Sequence, residues 1–307
     1  MKRLLLIFFI LSTLTVFGQQ ESATGNGVRK LYIFKSSGDD IEFLSKNGHQ
    51  ILPKKGDWAL GVDALPFLEY VGNVANGNDD NDNISFDYAE RNLPTATIYG
   101  KYFIADDLAY RGSLNIFANG NRDRFRVNDD ASTNPDDAVF DVRDIDNFGF
   151  TLSAGLEKRR GKSRVQGLYG AEAFIHFTTN STYKFQYGNS ITQSNQEPTS
   201  TGFGNPTGIP APSLGYRITK ADFGNRMEFG LRGFIGVEYF FAPKMSLGGE
   251  FYMLASHSST DNSSVTYEAY EGTSNSVEEF STFTEGNRDF NIGIRNSFGA
   301  INLMFYF

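Results

Sequence analysis

The last nine residues of the chain constrain its fold more than any other stretch. Residues 299–307 alternate between the two sides of an extended strand, with Gly299, Ile301, Leu303, Phe305 and Phe307 on one side. That side is almost wholly apolar and finishes on an aromatic ring. Such a face is stabilised either by lipid, with the aromatic ring at the interface, or by burial as the edge strand of a soluble β-sandwich. The remainder of the chain decides between these two interpretations.

Composition excludes several classes of protein. The chain of 307 residues has a mean hydropathy of −0.35 and no long apolar run after residue 17, which excludes a helical membrane protein. A β-barrel remains compatible, because alternating lipid-facing and interior residues average to a middling hydropathy. The absence of cysteine excludes disulfides and thiolate metal sites. A net charge of −8 argues against a nucleic-acid partner.

The first 18 residues have the pattern of a Sec signal peptide. Basic residues at 2–3 precede an apolar run at 4–17, and Gly18 is followed by an abrupt polar switch. A membrane anchor is the rival interpretation, but it needs about 20 apolar residues. No cysteine follows the apolar run, so a lipoprotein is excluded. We therefore expect residues 1–18 to be removed and the chain to be exported.

From Trp58 onward a two-residue period is regular and predicts eight strands. Pro66 predicts a bulge in the first strand, and a phase slip before Gly299 predicts another near Asn296 and Ser297, with a ninth short strand as the alternative. The predicted strands cover 58–69, 95–104, 108–116, 148–157, 165–177, 228–239, 245–256 and 289–307.

Strand lengths and connections predict the architecture. Each segment has about the 9–11 residues that a tilted strand needs to cross a bilayer. Short turns at Asp106, Arg160 and Pro243 alternate with long connections rich in Asn, Asp, Ser, Thr and Gly, at 72–94, 119–146, 178–225 and 258–288. A soluble sandwich has no reason to collect its long loops at one end, whereas an outer-membrane barrel does.

The predicted fold is therefore all-β: a transmembrane antiparallel up-and-down β-barrel of eight strands over residues 58–307. We expect periplasmic termini, short periplasmic turns and long extracellular loops. Residues 19–57 are predicted to be a periplasmic segment. Its apolar pieces at 31–34 and 41–44 either form a small hairpin or pack under the mouth of the barrel.

This pattern and the terminal Phe307 resemble the small eight-stranded outer-membrane barrels of the OmpX, OmpW and OmpA transmembrane-domain type, over about residues 58–307. The loops are longer than those of the smallest members. The resemblance implies an outer-membrane location among lipids and lipopolysaccharide. It also implies that the barrel-assembly machinery recognises the last strand, through Leu303, Phe305 and Phe307. We expect no cofactor and no metal.

Inward-facing charges predict a filled interior. A charge enclosed by a lipid-coated wall must pair or stay hydrated, and eight strands leave room for little besides side chains. By strand parity the inward set also includes Glu69, Glu157 and Arg159. We predict a salt-bridged polar plug centred on Arg111 and Arg232, with an ion-pore lining as the alternative. The predicted plug comprises Asp63, Lys101, Arg111, Glu172, Glu228, Arg232, Glu238 and Glu250.

Outward-facing aromatic residues predict two girdles at the membrane interfaces. Trp58, Tyr239, Phe241, Phe305 and Phe307 are expected at the periplasmic rim. The opposite rim is expected to carry Tyr70, Phe148 and Phe177.

Catalytic chemistry has little support in the sequence, and no catalytic residue is predicted. His257 beside Ser258 is faintly similar to the His–Ser pair of lipid A deacylases, and His176 with Glu228 would suit a general base. His49 precedes the barrel and is expected in solvent. An ordinary interfacial histidine and a structural hydrogen bond are the simpler interpretations of His257 and His176.

Three polar segments also have two interpretations each. The acidic run at 76–83 offers oxygen ligands for calcium but lacks the EF-hand order, so a solvated loop tip is favoured. The Asp- and Arg-rich segment 119–146 is either a contact surface, for lipopolysaccharide or an unknown partner, or a hydrated loop. The proline-containing stretch 202–212 would either form a lid over the mouth or remain mobile.

Three functions follow as hypotheses. The first is a non-enzymatic barrel with a structural or surface-contact role through its long acidic loops. The second is a narrow, OmpW-like transporter for small hydrophobic compounds. The third is a lipid-modifying enzyme.

Overall fold

The computed structural model describes residues 34–37, 40–45, 47–64, 97–161, 163–204, 206–208 and 216–307; within these, side chains are described except at 34–43 and 293–300. The predictions for the signal peptide, Pro66, Glu69, Tyr70, the acidic run 76–83 and the connection 72–94 lie outside the described residues. So do parts of the stretch 202–212.

Antiparallel strands dominate the described part of the chain. No helix there is long and apolar enough to cross a membrane. The strands are β1 (Phe34–Ser37), β2 (Asp40–Phe43), β3 (Trp58–Asp63), β4 (Thr97–Ala105), β5 (Leu108–Asn128), β6 (Ala138–Arg160), β7 (Val165–Thr178), β8 (Thr182–Gln186), β9 (Arg217–Asp222), β10 (Arg226–Ala242), β11 (Met245–Thr260), β12 (Ser263–Glu271), β13 (Ser276–Thr284) and β14 (Arg288–Tyr306).

Eight of these strands form a closed ring. Going round it, β3 pairs with β4, β4 with β5, β5 with β6, β6 with β7, β7 with β10, β10 with β11, β11 with β14, and β14 returns to β3. Every pairing is antiparallel. The all-β, antiparallel prediction is therefore confirmed, and each of the eight predicted segments falls on one strand of the ring.

Short turns join β4 to β5, β6 to β7 and β10 to β11, all at one end of the ring, which we call the short-turn end. Lys244 adopts a left-handed backbone conformation with φ of 60° in the two-residue turn between β10 and β11. The irregularity predicted near Asn296 is confirmed in the backbone: Phe251 opposes Gly299 but Met253 opposes Ile294. Since β14 continues through this shift, the alternative of a ninth strand is wrong.

The prediction that 119–146, 178–225 and 258–288 are loops is wrong over much of their length. β5 and β6 continue as one hairpin beyond the ring, and the other two segments contain β8, β9, β12 and β13. Together they continue the sheet of the ring in the order β5–β6–β8–β9–β12–β13, and we call this part of the 12-stranded sheet the extension. The polar composition of these segments predicts loops, but one face of their strands is apolar and buries Phe185, Val265 and Tyr267.

The segment at 187–204 covers that buried face. Phe203 packs against Phe125 and Phe185, with ring centroids 5.4 and 4.9 Å apart. The fully buried carboxylate of Asp141 accepts hydrogen bonds from the backbone N–H groups of Gly188 (2.9 Å) and Thr201 (2.7 Å). The stretch is therefore an ordered cover for the extension.

Residues before β3 pack against the short-turn end. β1 and β2 form a hairpin in which Phe34 opposes Phe43, as one of the two alternatives for this segment predicted. Farther along, Ile51 is fully buried and contacts the interior cluster of Phe103, Phe240 and Tyr306. Backbone hydrogen bonds between Gly56 or Asp57 and Phe103 anchor residues 51–57, which were not part of the second alternative for 31–34 and 41–44.

Replacing Asp141 with alanine is expected to release the 187–204 segment. Two hydrogen bonds to a charged acceptor are lost, each worth about 1.5–3 kcal/mol, so local opening should rise at least tenfold. Hydrogen exchange at the backbone amides of Gly188 and Thr201, together with limited proteolysis, measures this local opening. Asp136→Ala, at an exposed carboxylate in the same hairpin, is the control. Equal exchange in both variants would contradict the anchoring role.

Candidate functional site

Side chains on the ring are distributed in the opposite sense to those of a water-soluble core. On β5 the outward Leu114 and Ile116 are exposed, whereas the inward Arg111, Ser113 and Asn115 are buried. The same alternation holds on the other strands. Exposed large apolar residues of the outer face, which we call the apolar belt, include Leu60, Val62, Ile98, Leu114, Ile116, Leu152, Leu156, Leu231, Ile235, Val237, Phe251 and Met253.

Arg111 is the centre of the interior. Its guanidinium group makes ion pairs with Glu157 (3.2 Å), Glu172 (3.3 Å) and Glu250 (2.9 Å), which come from three different strands. The guanidinium carbon also lies 4.0 Å from the ring centroid of Phe234. Gly170 makes room for that ring, because a Cβ atom there would lie 2.6 Å from Phe234. The sequence therefore provides both the charge and the space around it.

A second group of charges continues the network toward the short-turn end. Lys101 contacts Glu157 at 2.8 Å. Arg159 bridges Glu157 at 3.1 Å and Glu238 at 2.7 Å. The hydroxyl of Tyr306 accepts from Arg159 and donates to Glu238. These five side chains are buried and pair with one another across β4, β6, β10 and β14, although Nη1 of Arg159 has no hydrogen-bond partner.

Arg232 extends the network in the other direction. It pairs with Glu172 and donates to the hydroxyl of Ser113 at 3.3 Å, while Ser113 and Ser153 share a 2.6 Å hydrogen bond. The connected set holds four cations and four carboxylates: Lys101, Arg111, Arg159 and Arg232 with Glu157, Glu172, Glu238 and Glu250. Its formal charge is zero, so each enclosed charge has a partner without a surplus to hydrate.

The structure brings six of the eight predicted plug residues into this network. Glu228 is not among them, because it pairs with Arg226 at 3.2 Å farther from the short-turn end. Asp63 lies on β3 opposite Asn302. Tyr252, which donates to Glu250 at 2.6 Å, and Tyr306 were missed, although the parity of their strands also places them inward. Glu157 and Arg159 were predicted to face inward but were not included in the predicted plug.

Aromatic side chains concentrate at the two ends of the apolar belt. At the short-turn end Trp58 stacks on Phe307 with ring centroids 4.5 Å apart, and Tyr239, Phe241 and Phe305 are exposed nearby in the sheet. Phe148 and Phe177 lie at the opposite end of their strands. The predicted set omitted the exposed Tyr102, Tyr110 and Tyr169 at the short-turn end, and Phe229 at the other. Leu303 lies on β14 opposite Leu247 and Val62.

The described histidines do not form a catalytic constellation. His257 faces outward beside Phe229, at 5.5 Å between ring centroids, whereas the adjacent Ser258 is buried on the inner face. His176 is inward and its Nδ1 lies 2.8 Å from the Thr151 hydroxyl, with Glu228 directly opposite on β10. His49 is exposed. Among the described side chains, no group of three acidic or histidine residues is placed to hold a metal ion.

No protein-family model matches the chain, and no curated protein matches it. The two faces of the ring are therefore the observations that indicate its class of protein.

Replacing Arg111 with methionine is expected to destabilise the folded chain by about 3–5 kcal/mol. The substitution keeps most of the volume but leaves the buried Glu157, Glu172 and Glu250 without their shared cation. Urea unfolding of protein folded in detergent micelles measures the change. Lys158→Met is the control, since Lys158 follows Glu157 on β6 but has a side chain that is 52% exposed. A loss below about 1 kcal/mol would count against the network as a stabilising element.

Proposed function

We propose that the chain is a non-enzymatic outer-membrane β-barrel protein with a closed interior, which presents the extension at the cell surface for structural or contact roles. The observation that carries the proposal is the inverted distribution of side chains on the ring. Leucine, isoleucine and phenylalanine cover the outside while paired charges occupy the inside. Lipid is the surrounding in which both faces are stable, because it buries the apolar belt and leaves the charges to pair within.

The height of the apolar belt supports this location. On β10 the outward aromatic residues Phe229 and Tyr239 mark the two ends of the belt, about ten residues apart. At about 3.3 Å per residue and a tilt of about 40°, this separation corresponds to about 25 Å along the ring axis. The apolar band of known outer-membrane barrels has about this height. In this orientation, the short turns and residues 50–57 are periplasmic and the extension is extracellular.

A closed interior is favoured over a transport path. The charge network spans the interior around Arg111, and Phe103, Phe240 and Tyr306 fill the space beneath it. Ile51 then packs against these rings from the periplasmic side. An OmpW-like path for small hydrophobic compounds would have to pass charged and aromatic layers in succession, so transport is the weaker hypothesis.

Lipid-modifying catalysis also has less support than a surface role. A serine nucleophile must be held by its histidine, but His257 and Ser258 lie on opposite faces of β11. The structured extension offers instead a wide surface carried on rigid strands. Its cover is anchored through Asp141 and its core contains Phe185 and Tyr267.

Phe251→Arg is expected to impair insertion into lipid vesicles. Phe251 is 64% exposed and opposes Ile235, near the middle of the belt between Phe229 and Tyr239, where an arginine costs about 2–4 kcal/mol in a bilayer. Insertion of urea-unfolded protein is measured by heat-modifiable gel migration and by flotation with the vesicles. The matched control is Phe283→Arg, because Phe283 is equally exposed (68%) but belongs to the extension. Equal behaviour of the two variants would reject a membrane location.

The inserted protein is expected to give no stepwise ion currents in planar bilayers. The neutral network around Arg111 and the packing of Ile51 leave no continuous water path in this proposal. A porin reconstituted by the same procedure provides the positive control. Reproducible conductance steps from the purified chain would refute a closed interior while leaving the membrane location intact.

A further inference from the structure

The outward face of the extension is continuous with the apolar belt. The register of β5 and β6 runs without a shift from Leu108 opposite Lys158 to Asn128 opposite Ala138. Side chains two residues apart therefore stay on one face. Beyond the exposed Ile116 and Phe148, this face carries Arg122 and Asp144. The chemistry changes from apolar to charged within a few residues of the end of the belt.

A row of cations crosses this face at one level, and we call it the basic row. Arg122 opposes Asp144, Asp144 opposes Lys184, and Lys184 opposes Lys220. Arg122 holds Asp144 through two hydrogen bonds of 2.6 and 2.8 Å, and these lower the pKa of Asp144 below its ordinary value. Lys184 and Lys220 are exposed, while Phe185 and Ala221 beside them are buried on the other face.

The charge balance of this face differs from that of the whole chain. Lys184 and Lys220 lie directly opposite each other on neighbouring strands, where like charges repel. Asp222 makes an ion pair of 3.4 Å with Lys220 and none with Lys184. Together β5, β6, β8 and β9 place five cations outward (Arg122, Arg124, Arg126, Lys184 and Lys220) and three carboxylates (Asp144, Asp146 and Asp222). The excess of cations is confined to these four strands, because Glu268 and Glu279 lie on the same face of β12 and β13. The chain as a whole has a net charge of −8.

A polar cavity adjoins the end of the basic row. It has a volume of about 590 Å³ and lies where the turns after β9, β11 and β13 meet the ring. Asp222, the ion-pair partner of Lys220, belongs to its wall. Amide, carboxylate and guanidinium groups of Asn225, Asp261, Asn262, Asn287 and Arg288 supply both donors and acceptors. Such a lining matches the hydroxyl groups of a sugar better than an apolar ligand.

We propose that the basic row and this cavity bind the phosphorylated sugar headgroup of an anionic glycolipid in the outer leaflet. The inference rests on the proposed function, because it needs the apolar belt to lie in the acyl chains of the same leaflet. Lipid phosphates then meet Lys184 and Lys220, and the attached sugars meet the cavity. An anion between the two lysines removes their mutual repulsion, so bound headgroup stabilises the extension as well.

The double variant Lys184→Gln/Lys220→Gln tests this proposal. Both lysines are exposed, and glutamine keeps their length and polarity, so folding is preserved. The folded protein in detergent micelles is titrated with phosphorylated lipid A and with lipid A lacking its phosphates. Affinity of the wild-type chain should be at least tenfold higher for the phosphorylated form, and the double variant should lose about ten- to thirtyfold. Lys158→Gln, an exposed lysine at the short-turn end, should bind as wild type does.

Unchanged lipid A affinity in the double variant would overturn the proposal. Displacement of lipid A by millimolar inorganic phosphate would also overturn it, because the row would then be a site for free phosphate. Insertion into vesicles is measured first for the wild-type chain. A chain that does not insert overturns the proposed function and this inference together, whereas one that inserts without preference for phosphorylated lipid A overturns only this inference.

Discussion

A cation enclosed within the ring is stable only beside a carboxylate, and this requirement links nearly every strand of the wall. Arg111 on β5 reaches Glu157 on β6, Glu172 on β7 and Glu250 on β11. Through Lys101, Glu238 and Tyr306 the same network includes β4, β10 and β14. Removing one member leaves a buried charge unpaired, which costs several kcal/mol of folding free energy. When all members are present, every buried charge of the network is paired. The interior thus favours one arrangement of strands over alternatives with other neighbours.

The outer face follows from the inner one. A slip of one residue in any pairing would move charges outward and leucines inward along a whole strand, so the network holds the apolar belt in place as well. Leu231 opposes Ala173 and Ala255, and both neighbours present their own side chains to the same side. The belt therefore has no partner within the described chain that could cover it. Fully burying one such side chain is worth about 1.5–3 kcal/mol, and the belt runs round all eight strands. Because the described chain does not bury these side chains, we propose that lipid surrounds the belt.

Strand parity predicted much of this arrangement, including the inward direction of Arg111, Arg232 and Glu250 and the irregularity near Asn296. It could not predict partners: Arg111 and Glu250 are 139 positions apart, and the period of a strand states which face a residue occupies but not which strand comes next. Ile51 was not predicted to be an interior residue, because the adjacent pair Ile51 and Leu52 in a polar segment has no period. In 119–146 the abundance of Asp and Arg predicts a loop, whereas the alternation of Phe125, Val127 and Val139 with polar residues is that of the observed hairpin. Polar residues are expected on a strand when one of its faces is in solvent.

The unbroken passage of β5 and β6 from ring to extension has a mechanical consequence. A surface loop attached by flexible ends can approach or leave the membrane, but side chains on a continuous two-stranded ribbon keep a fixed distance from the belt below them. Ile116 and Arg122 belong to one strand and one face, so the height of Arg122 above the apolar belt is set by the rise per residue. β8 and β9 are bonded to β6 in turn and place Lys184 and Lys220 at the same level. A charged row held at constant height is suited to recognising a layer of headgroups, whereas a partner approaching from solution would be met first by the tips of the β5–β6 and β12–β13 hairpins.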